Sequence, residues 1–565
     1  PFGPLFTALS KGATKLLLVD HSYLSLQQAV FAPLRELIEE AGGLEEWETG
    51  LRISRYQTAL WSEFEDLADE SEAAVSWRAT VDGLRNIDSV PPPPVPTGFA
   101  GELRPYQRDG FSWLAFLYEQ KLGGILADDM GLGKTAQALA LVAHAAAQAP
   151  GAAPFLVVAP TSVVSNWKRE AARFTPGLRV ADVTTTERKQ SKSLAAVAAG
   201  ADIVLTSYAI LRLDAEAFAD LEWSGLILDE AQFAKNPASK VHDAARGIRA
   251  PFRLAVTGTP IENNLTELWA LLRIVAPGLF ASSREFAEKY RRPIEINHDT
   301  ERLDRLRRRV RPFMLRRTKE AVAPELPPKQ EQVLEITLDP RHRRIYDTHL
   351  QRERQKILGL VDDLDRNRFI VFRSLTLLRM LSLDAALIDP EGYANVPSAK
   401  LDGLLEQLDD VVGEGHQALV FSQFTSFLQR AAARLDAAGI PYSYLDGSTR
   451  NREKVIDGFR RGDGKVFLIS LKAGGFGLNL TEADYVFLLD PWWNPASEAQ
   501  AVDRAHRIGQ TKQVMVYRMV ATNTIEEKVM ALKEKKAALV SAVIDDDAFF
   551  SESLSADDIR ALLES

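Results

Sequence analysis

The stretch that decides the fold is GGILADDMGLGKT, residues 123–135. Its first half is a short apolar run, which is typical of a buried strand. Its second half places two glycines and a Lys-Thr pair before the helical pattern TAQALALVAHAAA. A glycine turn between a strand and a helix binds phosphate, because backbone N–H groups and the helix N-terminus face the anion. The stretch therefore predicts a nucleotide site on an α/β sheet.

Four positions of this loop have a predicted role. Gly131 and Gly133 would let the backbone approach phosphate oxygens, Lys134 would reach the β- and γ-phosphates, and Thr135 would bind Mg²⁺. The usual loop has a glycine where this chain has Asp128, which weakens the formal match. The alternative is an ordinary glycine turn before a helix, and the strand–loop–helix context argues against it.

Further apolar runs alternate with helical patterns along the rest of the chain. They are PFLVVAP (154–160), DIVLTS (202–207), GLILDEA (225–231), FRLAVTGTP (252–260), QALVFSQF (417–424), KVFLIS (465–470) and DYVFLLD (484–490). Each has a continuous apolar centre, which is typical of parallel strands buried on both faces. The sequence therefore predicts an α/β fold with two doubly wound parallel-sheet domains.

Composition sets the outer limits of the interpretation. A chain of 565 residues is too long for one hydrophobic core. No apolar run reaches the ~18 residues of a membrane-spanning helix, so no membrane partner is expected. The absence of cysteine excludes disulfides and Cys-ligated zinc, and it fits a cytoplasmic location. The chain begins at Pro1 rather than Met, and we expect it to be either trimmed or one part of a longer chain.

Charge is distributed unevenly along the chain. The net charge is −9, which taken alone argues against a nucleic-acid partner. The acidic ends account for it, since residues 1–97 carry −8 and residues 541–565 carry −6. Residues 98–540 therefore carry +5, which permits a polyanion as a partner.

The same patterns suggest domain limits. SVPPPPVPTG, residues 89–98, reads as a stiff linker. We expect a mostly helical accessory unit over 1–97, a first lobe over 98–280, helical Arg-rich insertions over 281–397, a second lobe over 398–540, and an acidic tail over 541–565.

Two further motifs carry candidate chemistry. In LILDEAQ (226–232) an apolar strand ends in two carboxylates, of which Asp229 would hold Mg²⁺ and Glu230 would polarise the attacking water. The alternative is a pair of acids that caps the next helix. In DRAHRIGQ (503–510), Arg504 and Arg507 would share one helix face and act as arginine fingers. Alone, that pair is equally typical of a solvated helix face.

Together these blocks resemble a known family. The matching stretches are LRPYQRDGFSWL (103–114), LADDMGLGKT (126–135), APTSVVSNW (159–167), LTSYAIL (205–211), LDEAQFAKNPASK (228–240), AVTGTPIENNLTELW (255–269), PFMLRRTKEAVAPELPPK (312–329), LVFSQFTSFL (419–428), YLDGSTRNREKVIDGF (444–459) and the long segment 468–510. In this order and spacing they resemble the SWI/SNF-type ATPases, double-stranded-DNA translocases of helicase superfamily 2. The Asp-Glu-Ala-Gln form is similar to that of bacterial members.

The resemblance implies two RecA-like lobes with ATP and Mg²⁺ in the cleft. Gln107 would read the adenine, and Gly477 would lie beside the arginines of the second lobe. Duplex DNA would be bound through its backbone without sequence preference, and the lobes would step a single base pair at a time, 3′→5′ and without strand separation. The DNA contacts carried over motif by motif are Pro160, Thr161, Ser207, Tyr208, Ser422, Gln423, Lys472, Ala473, Gly474 and Gly475.

Several alternatives stay open from the sequence. The output could be strand separation by a superfamily 2 helicase, or DNA binding by a scaffold with an inactive ATP site. The arginines of 301–319 would either clamp the second strand or pair with acidic neighbours. Trp492 and Trp493 would either stack on bases or pack in a core.

The ends of the chain and its partners are equally open. The acidic tail would be a DNA mimic or a terminal helix, and residues 1–97 would regulate, recruit or pack. We expect a monomer. The protein target, for example RNA polymerase or another DNA-bound complex, is not specified by the sequence.

Overall fold

The computed structural model describes residues 8–9, 12–17, 23–28, 35, 93–189, 193–258, 264–280, 282–297, 299–324, 326–358, 364–471, 478–492 and 495–531. Most of the predicted accessory unit, and the whole predicted acidic tail, lie outside these residues. Within the accessory unit, β1 (Lys15–Leu17) and β2 (Tyr23–Ser25) form an antiparallel pair.

The chain divides into two compact units. The first comprises Pro1–Asp129 and Gly133–Thr318, and the second comprises Met130–Leu132 and Lys319–Ser565. The segment 281–397, expected as helical insertions, is thus shared between the units. It also contains two strands, β9 (Met314–Leu315) and β10 (Lys329–Ile336), that the sequence did not predict. The proposed domain limits stay predictions.

The first unit is built on a parallel sheet that has seven strands among the described residues. In addition to β9, its strands are β3 (Gly124–Leu126), β4 (Phe155–Ala159), β5 (Val180–Val183), β6 (Ile203–Ser207), β7 (Gly225–Asp229) and β8 (Arg253–Val256). Their order across the sheet is β5-β6-β4-β7-β8-β3-β9. Strands β3, β4, β6 and β7 are completely buried, as their unbroken apolar runs predict.

Helices connect these strands. They are α1 (Pro105–Glu119), α2 (Lys134–Gln148), α3 (Thr161–Phe174), α4 (Leu194–Ala198), α5 (Tyr208–Leu213), α6 (Ala215–Ala219), α7 (Lys240–Gly247), α8 (Leu265–Val275), α9 (Ser283–Phe286), α10 (Arg292–Asn297) and α11 (Thr300–Val310). A π-helical turn lies at Ala287–Arg291, and 3₁₀ turns lie at Glu187–Lys189, Ala231–Ala234 and Arg311–Phe313. Three of these helices begin immediately after a strand or its glycine turn, so their N-termini meet at the carboxyl edge of the sheet.

The second unit contains a parallel sheet with six described strands, in the order β10-β15-β14-β11-β13-β12. The strands other than β10 are β11 (Ala418–Ser422), β12 (Tyr442–Leu445), β13 (Val466–Ser470), β14 (Tyr485–Leu488) and β15 (Val514–Ala521). The helices are α12 (Lys319–Val322), α13 (Pro340–Leu358), α14 (Leu364–Leu383), α15 (Ala399–Gly413), α16 (Thr425–Ala438), α17 (Arg452–Arg461) and α18 (Pro495–Val502), with a 3₁₀ turn at Ala385–Leu387.

Both faces of this second sheet are covered. Along β11, Leu419 and Phe421 belong to one apolar cluster, whereas Ala418 and Val420 belong to the cluster on the other face. This double burial explains why the strand is apolar at each position from Ala418 to Phe421 rather than at every second one. The predicted fold class, two parallel-sheet α/β lobes, is confirmed. No helix of the described part of the chain is both long and apolar enough to cross a membrane.

Candidate functional site

The glycine loop before α2 has the backbone shape that phosphate binding requires. Gly131 and Gly133 have φ angles of 87° and 76°, in the left-handed region that favours glycine. A Cβ atom at Gly133 would collide with Nε2 of Gln107, so the residue predicted to read the adenine lies beside the loop. The N-terminus of α2, at Lys134, follows directly, and its N–H groups suit an anion.

Lys134 is a partly buried ammonium group with acidic residues close to it. Its Nζ donates to the carbonyl oxygens of Asp128 and Asp129, at 2.6 and 3.2 Å. Burial lowers the pKa of Lys134, while the nearby carboxylates, of Glu230 first and then Asp128 and Asp229, act in the opposite direction. A cation held in this way can bind a phosphate without moving far.

Asp229 ends β7 at the same edge of the sheet. Its Oδ2 accepts a hydrogen bond from the Trp167 indole at 2.6 Å, and its Oδ1 accepts one from the backbone N–H of Glu230 at 2.9 Å. Burial, and then the neighbouring charge of Glu230, raise the pKa of Asp229 to about 7. The two carboxylates therefore share one site, which is the arrangement that attracts a cation.

Glu230 is held in an unusual backbone conformation. Its φ angle of 50° lies in the left-handed region, where a residue with a side chain is strained. Its Oε2 accepts from the Gln232 amide at 2.9 Å, and the Gln232 amide oxygen in turn accepts from Thr257 Oγ1 at 2.9 Å. Strained residues occur where the surrounding structure fixes them for a purpose, and here a chain of hydrogen bonds orients a carboxylate.

The replacement of the usual loop glycine by Asp128 has a structural reason. Asp128 is fully buried, and the Arg317 guanidinium donates to both its carboxylate oxygens, at 2.9 and 2.5 Å. Arg317 also donates to Gln137 of α2 at 2.9 Å and to the Tyr106 carbonyl of α1. Arg317 thus connects the start of the loop to both flanking helices. A glycine at position 128 could not form this ion pair.

These residues fit Mg²⁺ and a nucleotide. Mg²⁺ usually binds through one or two carboxylates, water and substrate phosphates, rather than through a cage made only of protein. The described residues hold no group of three or more His, Cys, Asp or Glu that would form such a cage. Asp229, with the Thr135 hydroxyl at the start of α2, supplies the partial set that Mg²⁺ takes beside phosphates.

The first-unit residues predicted to contact DNA follow β4 and β6 at this edge of the sheet. Pro160 is buried and caps α3, whereas Thr161, the first residue of α3, is exposed. The Ser207 hydroxyl accepts from the N–H of Ile210 and so caps α5. The buried Tyr208 hydroxyl donates to the Asp229 carbonyl at 2.8 Å. Contact of these residues with DNA stays a prediction, and Thr161 has the most accessible hydroxyl.

In the second unit, Arg504 and Arg507 converge without the predicted helix. Helix α18 ends at Val502, and the N–H groups of Arg504 and Ala505 bond to the carbonyls three residues earlier, as in turns. The expectation that both arginines share a helix face is wrong for this reason. Both nevertheless donate to the Leu478 carbonyl, at 3.5 and 3.4 Å. Their role as arginine fingers stays a prediction.

The predicted second-unit DNA contacts that are described surround Asp490. Ser422 Oγ donates to Asp490 Oδ1 at 2.5 Å, and the Gln423 side chain donates to Oδ2. Arg379, on α14, lies 3.8 Å from Asp490 and donates to the Gln423 amide oxygen at 3.2 Å and to the Pro491 carbonyl at 2.6 Å. Asp490 and Arg379 therefore fix the position of Gln423.

Some predicted positions lie outside the described residues. They are Lys472, Ala473, Gly474, Gly475, Gly477 and Trp493. Among the alternatives that the sequence left open, packing is confirmed for Trp492, which is buried in one core cluster of the second unit. Arg309 is buried and donates to the Tyr290 hydroxyl and the Leu279 carbonyl, so this arginine and Arg317 serve the interior of the first unit.

Sequence reasoning gave no individual role to Trp167, Arg379 or Asp490, and for Arg317, one of the arginines of 301–319, it left strand clamping and pairing with acidic residues open. The partners of all four residues are remote in the chain. Asp229 lies 62 residues from Trp167, and Arg317 lies 189 residues from Asp128. The available signal was the residue type, since a tryptophan N–H or an arginine in an apolar setting usually has a buried acceptor.

Comparison with known proteins places the chain in a family. Residues 106–383 match the family model of the SNF2-related domain, and residues 399–509 match the helicase conserved C-terminal domain. The YwqA protein of Bacillus subtilis, whose name describes an ATP-dependent helicase or translocase, is 36% identical over 86% of this chain and 53% of its own length. The chromodomain-helicase-DNA-binding protein 1-like of Mus musculus is 36% identical over 79% of this chain and 50% of its own length.

A solved structure matches as well. The SWI2/SNF2 ATPase core of Sulfolobus solfataricus in complex with double-stranded DNA is 31% identical and covers 83% of this chain and 98% of its own, with a TM-score of 0.41. The chain spans about half the length of the curated relatives that it matches. On the two family models and these identities, the chain belongs to the SNF2-related family of helicase-like proteins.

Proposed function

We propose that this chain is a DNA-stimulated ATPase that moves along double-stranded DNA without separating the strands. The observation that carries the proposal is the placing of the partly buried Lys134 ammonium among Asp128, Asp229 and Glu230, at the loop that begins α2. An inactive scaffold would have no need to bring a lysine and these carboxylates together at this loop, because withdrawing charges from water is costly. The names of two relatives, which include ATP dependence and DNA binding, support the same conclusion.

The phosphate loop, α1, α2 and the end of β7 supply the residues that would act on ATP. The loop N–H groups and Lys134 bind the β- and γ-phosphates, and Gln107 contacts the base. Asp229 and Thr135 would hold Mg²⁺, which would neutralise charge on the phosphates. Glu230, oriented by Gln232, positions the attacking water and accepts its proton.

Movement on duplex DNA follows from contacts to one strand's backbone. Exposed hydroxyls and helix N-termini, such as Thr161 at the start of α3, suit phosphate oxygens and carry no base code. Binding of this kind is independent of sequence and weakens steeply with salt. The family resemblance supports translocation over strand separation.

Steady-state hydrolysis tests the proposal directly. The rate is measured without DNA, with single-stranded DNA and with blunt duplex at one fixed salt concentration, and Lys134→Ala is the control for the ATP site. We expect strong stimulation by duplex and loss of ATP binding in the control variant. Equal stimulation by single strands would favour a helicase, and hydrolysis in none of the conditions would favour the scaffold.

A second pair of assays separates movement from unwinding. The YwqA name covers both helicase and translocase, so both outputs need a measurement. We expect this chain to displace the third strand of a triplex while leaving a fluorescent forked duplex paired. Unwinding of the fork would replace translocation with strand separation in the proposal.

A further inference from the structure

Trp167 connects a predicted DNA-contacting segment to Asp229. It lies on α3, the helix whose N-terminus carries Pro160 and the exposed Thr161. The Trp167 side chain is completely buried, and its indole N–H donates to Asp229 Oδ2 at 2.6 Å. Because an indole has a single donor and a rigid ring, a shift of α3 must move this hydrogen bond.

Tyr208 makes a second connection of the same kind. It follows β6 directly, next to Ser207 in the other predicted DNA-contacting segment of this unit. Its hydroxyl donates to the Asp229 carbonyl at 2.8 Å, and its ring stacks on Phe233 with centroids 5.4 Å apart. Both predicted DNA-contacting segments of the first unit are thus hydrogen-bonded to one residue.

The position of the Asp229 carboxylate depends on its hydrogen-bond donors. Asp229 is buried, and its carboxylate accepts from Trp167 through one oxygen and from the Glu230 N–H through the other. Hydrogen bonds shielded from water are stronger and more directional than exposed ones. A misplacement of about 1 Å at a reacting centre can slow a reaction by about a hundredfold, so small movements of α3 are sufficient to matter.

We propose that Trp167 and Tyr208 are positioning residues that couple DNA contact at Thr161 and Ser207 to the alignment of Asp229, and that duplex DNA stimulates hydrolysis through them. This inference rests on the proposed function, since it explains how bound duplex DNA would increase the rate of ATP hydrolysis. Trp167 is the stronger test of the two residues, because a side chain with no exposed surface cannot itself touch DNA.

The chain offers a matched control variant. Trp223 is also buried in the first unit, and its indole donates to the Phe218 carbonyl at 2.9 Å. Trp223 lies just before the first residue of β7, whereas Asp229 is the last residue of that strand. Trp167→Phe and Trp223→Phe therefore make the same chemical change and each remove one indole hydrogen bond, but only the first acts on Asp229.

Two measurements are compared for the wild type, Trp167→Phe, Tyr208→Phe and Trp223→Phe. The first is the ratio of hydrolysis rates with and without saturating blunt duplex. The second is the equilibrium affinity for a fluorescent, non-hydrolysable ATP analogue in the same two conditions, which gives a coupling factor that a merely structural role would not change. We expect Trp167→Phe to lower the rate ratio by about tenfold, the effect of removing one charge-assisted hydrogen bond.

The smaller change, Tyr208→Phe, is expected to lower the ratio by roughly threefold, since it removes a neutral hydrogen bond. Trp223→Phe is expected to keep both the ratio and the coupling factor. Should Trp167→Phe melt below the assay temperature, Tyr208→Phe decides, because its ring can stay stacked on Phe233.

Two outcomes would overturn the inference, and they are distinguishable. A stimulated wild type in which Trp167→Phe and Tyr208→Phe keep the ratio of Trp223→Phe would overturn the coupling role alone. A wild type whose hydrolysis does not respond to duplex would overturn the proposed function and the coupling role with it.

Discussion

Asp229 in the first unit and Asp490 in the second occupy similar places and have different surroundings. Each is buried at or just beyond the carboxyl end of a strand, and burial raises the pKa of each. Beside Asp229 stand a second carboxylate, Glu230, and the Lys134 ammonium. Beside Asp490 stand the Arg379 guanidinium and, with a weaker effect, the Lys400 ammonium, and hydrogen bonds come from Ser422 and Gln423.

The difference shows that charge partners, rather than position in the sheet, decide what a buried acid can do. Asp490 is neutralised by an arginine and hydrogen-bonded on both oxygens, so it organises the loop after β11. Asp229 shares its site with another acid, so the pair carries negative charge that Mg²⁺ would relieve. We expect changes at the first site to affect chemistry and changes at the second to affect stability.

The largest effect is expected from Glu230→Gln. The amide cannot accept a proton, so hydrolysis should fall by about 10²- to 10⁴-fold, the usual contribution of a general base. ATP binding should persist, because Lys134 and the loop are unchanged. The measurement pairs steady-state turnover with the affinity for a fluorescent ATP analogue.

A chemical control sharpens this result. Gln232→Glu adds a carboxylate two residues away and removes the amide that donates to Glu230. It should slow hydrolysis less than Glu230→Gln does. Normal turnover by Glu230→Gln would show that the general base is another group.

The next largest effect, a loss of stability, is expected from Arg379→Gln in the second unit. Breaking a buried ion pair leaves an uncompensated charge, so we expect the second unit to lose about 3 kcal/mol of stability. Hydrogen exchange of the backbone amides of β11, β13 and β14 reports this loss locally. The control is Arg373→Gln, since Arg373 lies on the same helix with its side chain exposed. Equal exchange rates in the two variants would mean that Asp490 does not depend on Arg379.

The third prediction uses the raised pKa of Asp229. Between the ordinary value of 3.8 and about 7, the folded protein keeps a proton that the unfolded chain has released. Stability should therefore fall as pH rises through this window, by at most about 1.4 kcal/mol per pH unit for one group.

Asp229→Asn removes this titration and should flatten the pH dependence of unfolding between pH 5 and 7. Urea unfolding of the metal-free protein in EDTA provides the measurement, and the difference between variant and wild type cancels the contributions of other groups. An unchanged slope would mean that Asp229 is ionised throughout this range.

The sequence predicted most of the fold because buried parallel strands leave an unmistakable apolar signature. It missed β10, whose residues KQEQVLEI are mostly polar and exposed, because an edge strand needs no such signature. It also missed β5, β12 and β15, as well as β9, which is two residues long and lies beside β3 at the start of the phosphate loop.

The candidate site was predictable where neighbours in sequence carry the chemistry, as at Gly131 and Lys134. It was not predictable where remote residues meet, as for Arg317 with Asp128, because no local spacing encodes such a pair. The left-handed backbone of Glu230 is likewise imposed by tertiary contacts, since a glutamate does not favour it.

The smallest effect on the rate of hydrolysis is expected from Thr257→Ala. Thr257 donates to Gln232, which donates to Glu230, so the variant removes the support of a residue that itself only orients the base. One neutral hydrogen bond contributes about 1 kcal/mol, so turnover should fall by roughly fivefold while ATP affinity stays the same.

A double-mutant cycle with Gln232→Ala decides whether the two residues act together. If they form one chain of support, Thr257→Ala should have no further effect once Gln232 is removed. Additive losses would instead mean that Thr257 acts on the site by another route, for example through its own backbone, which bonds to Leu126 at the end of β3.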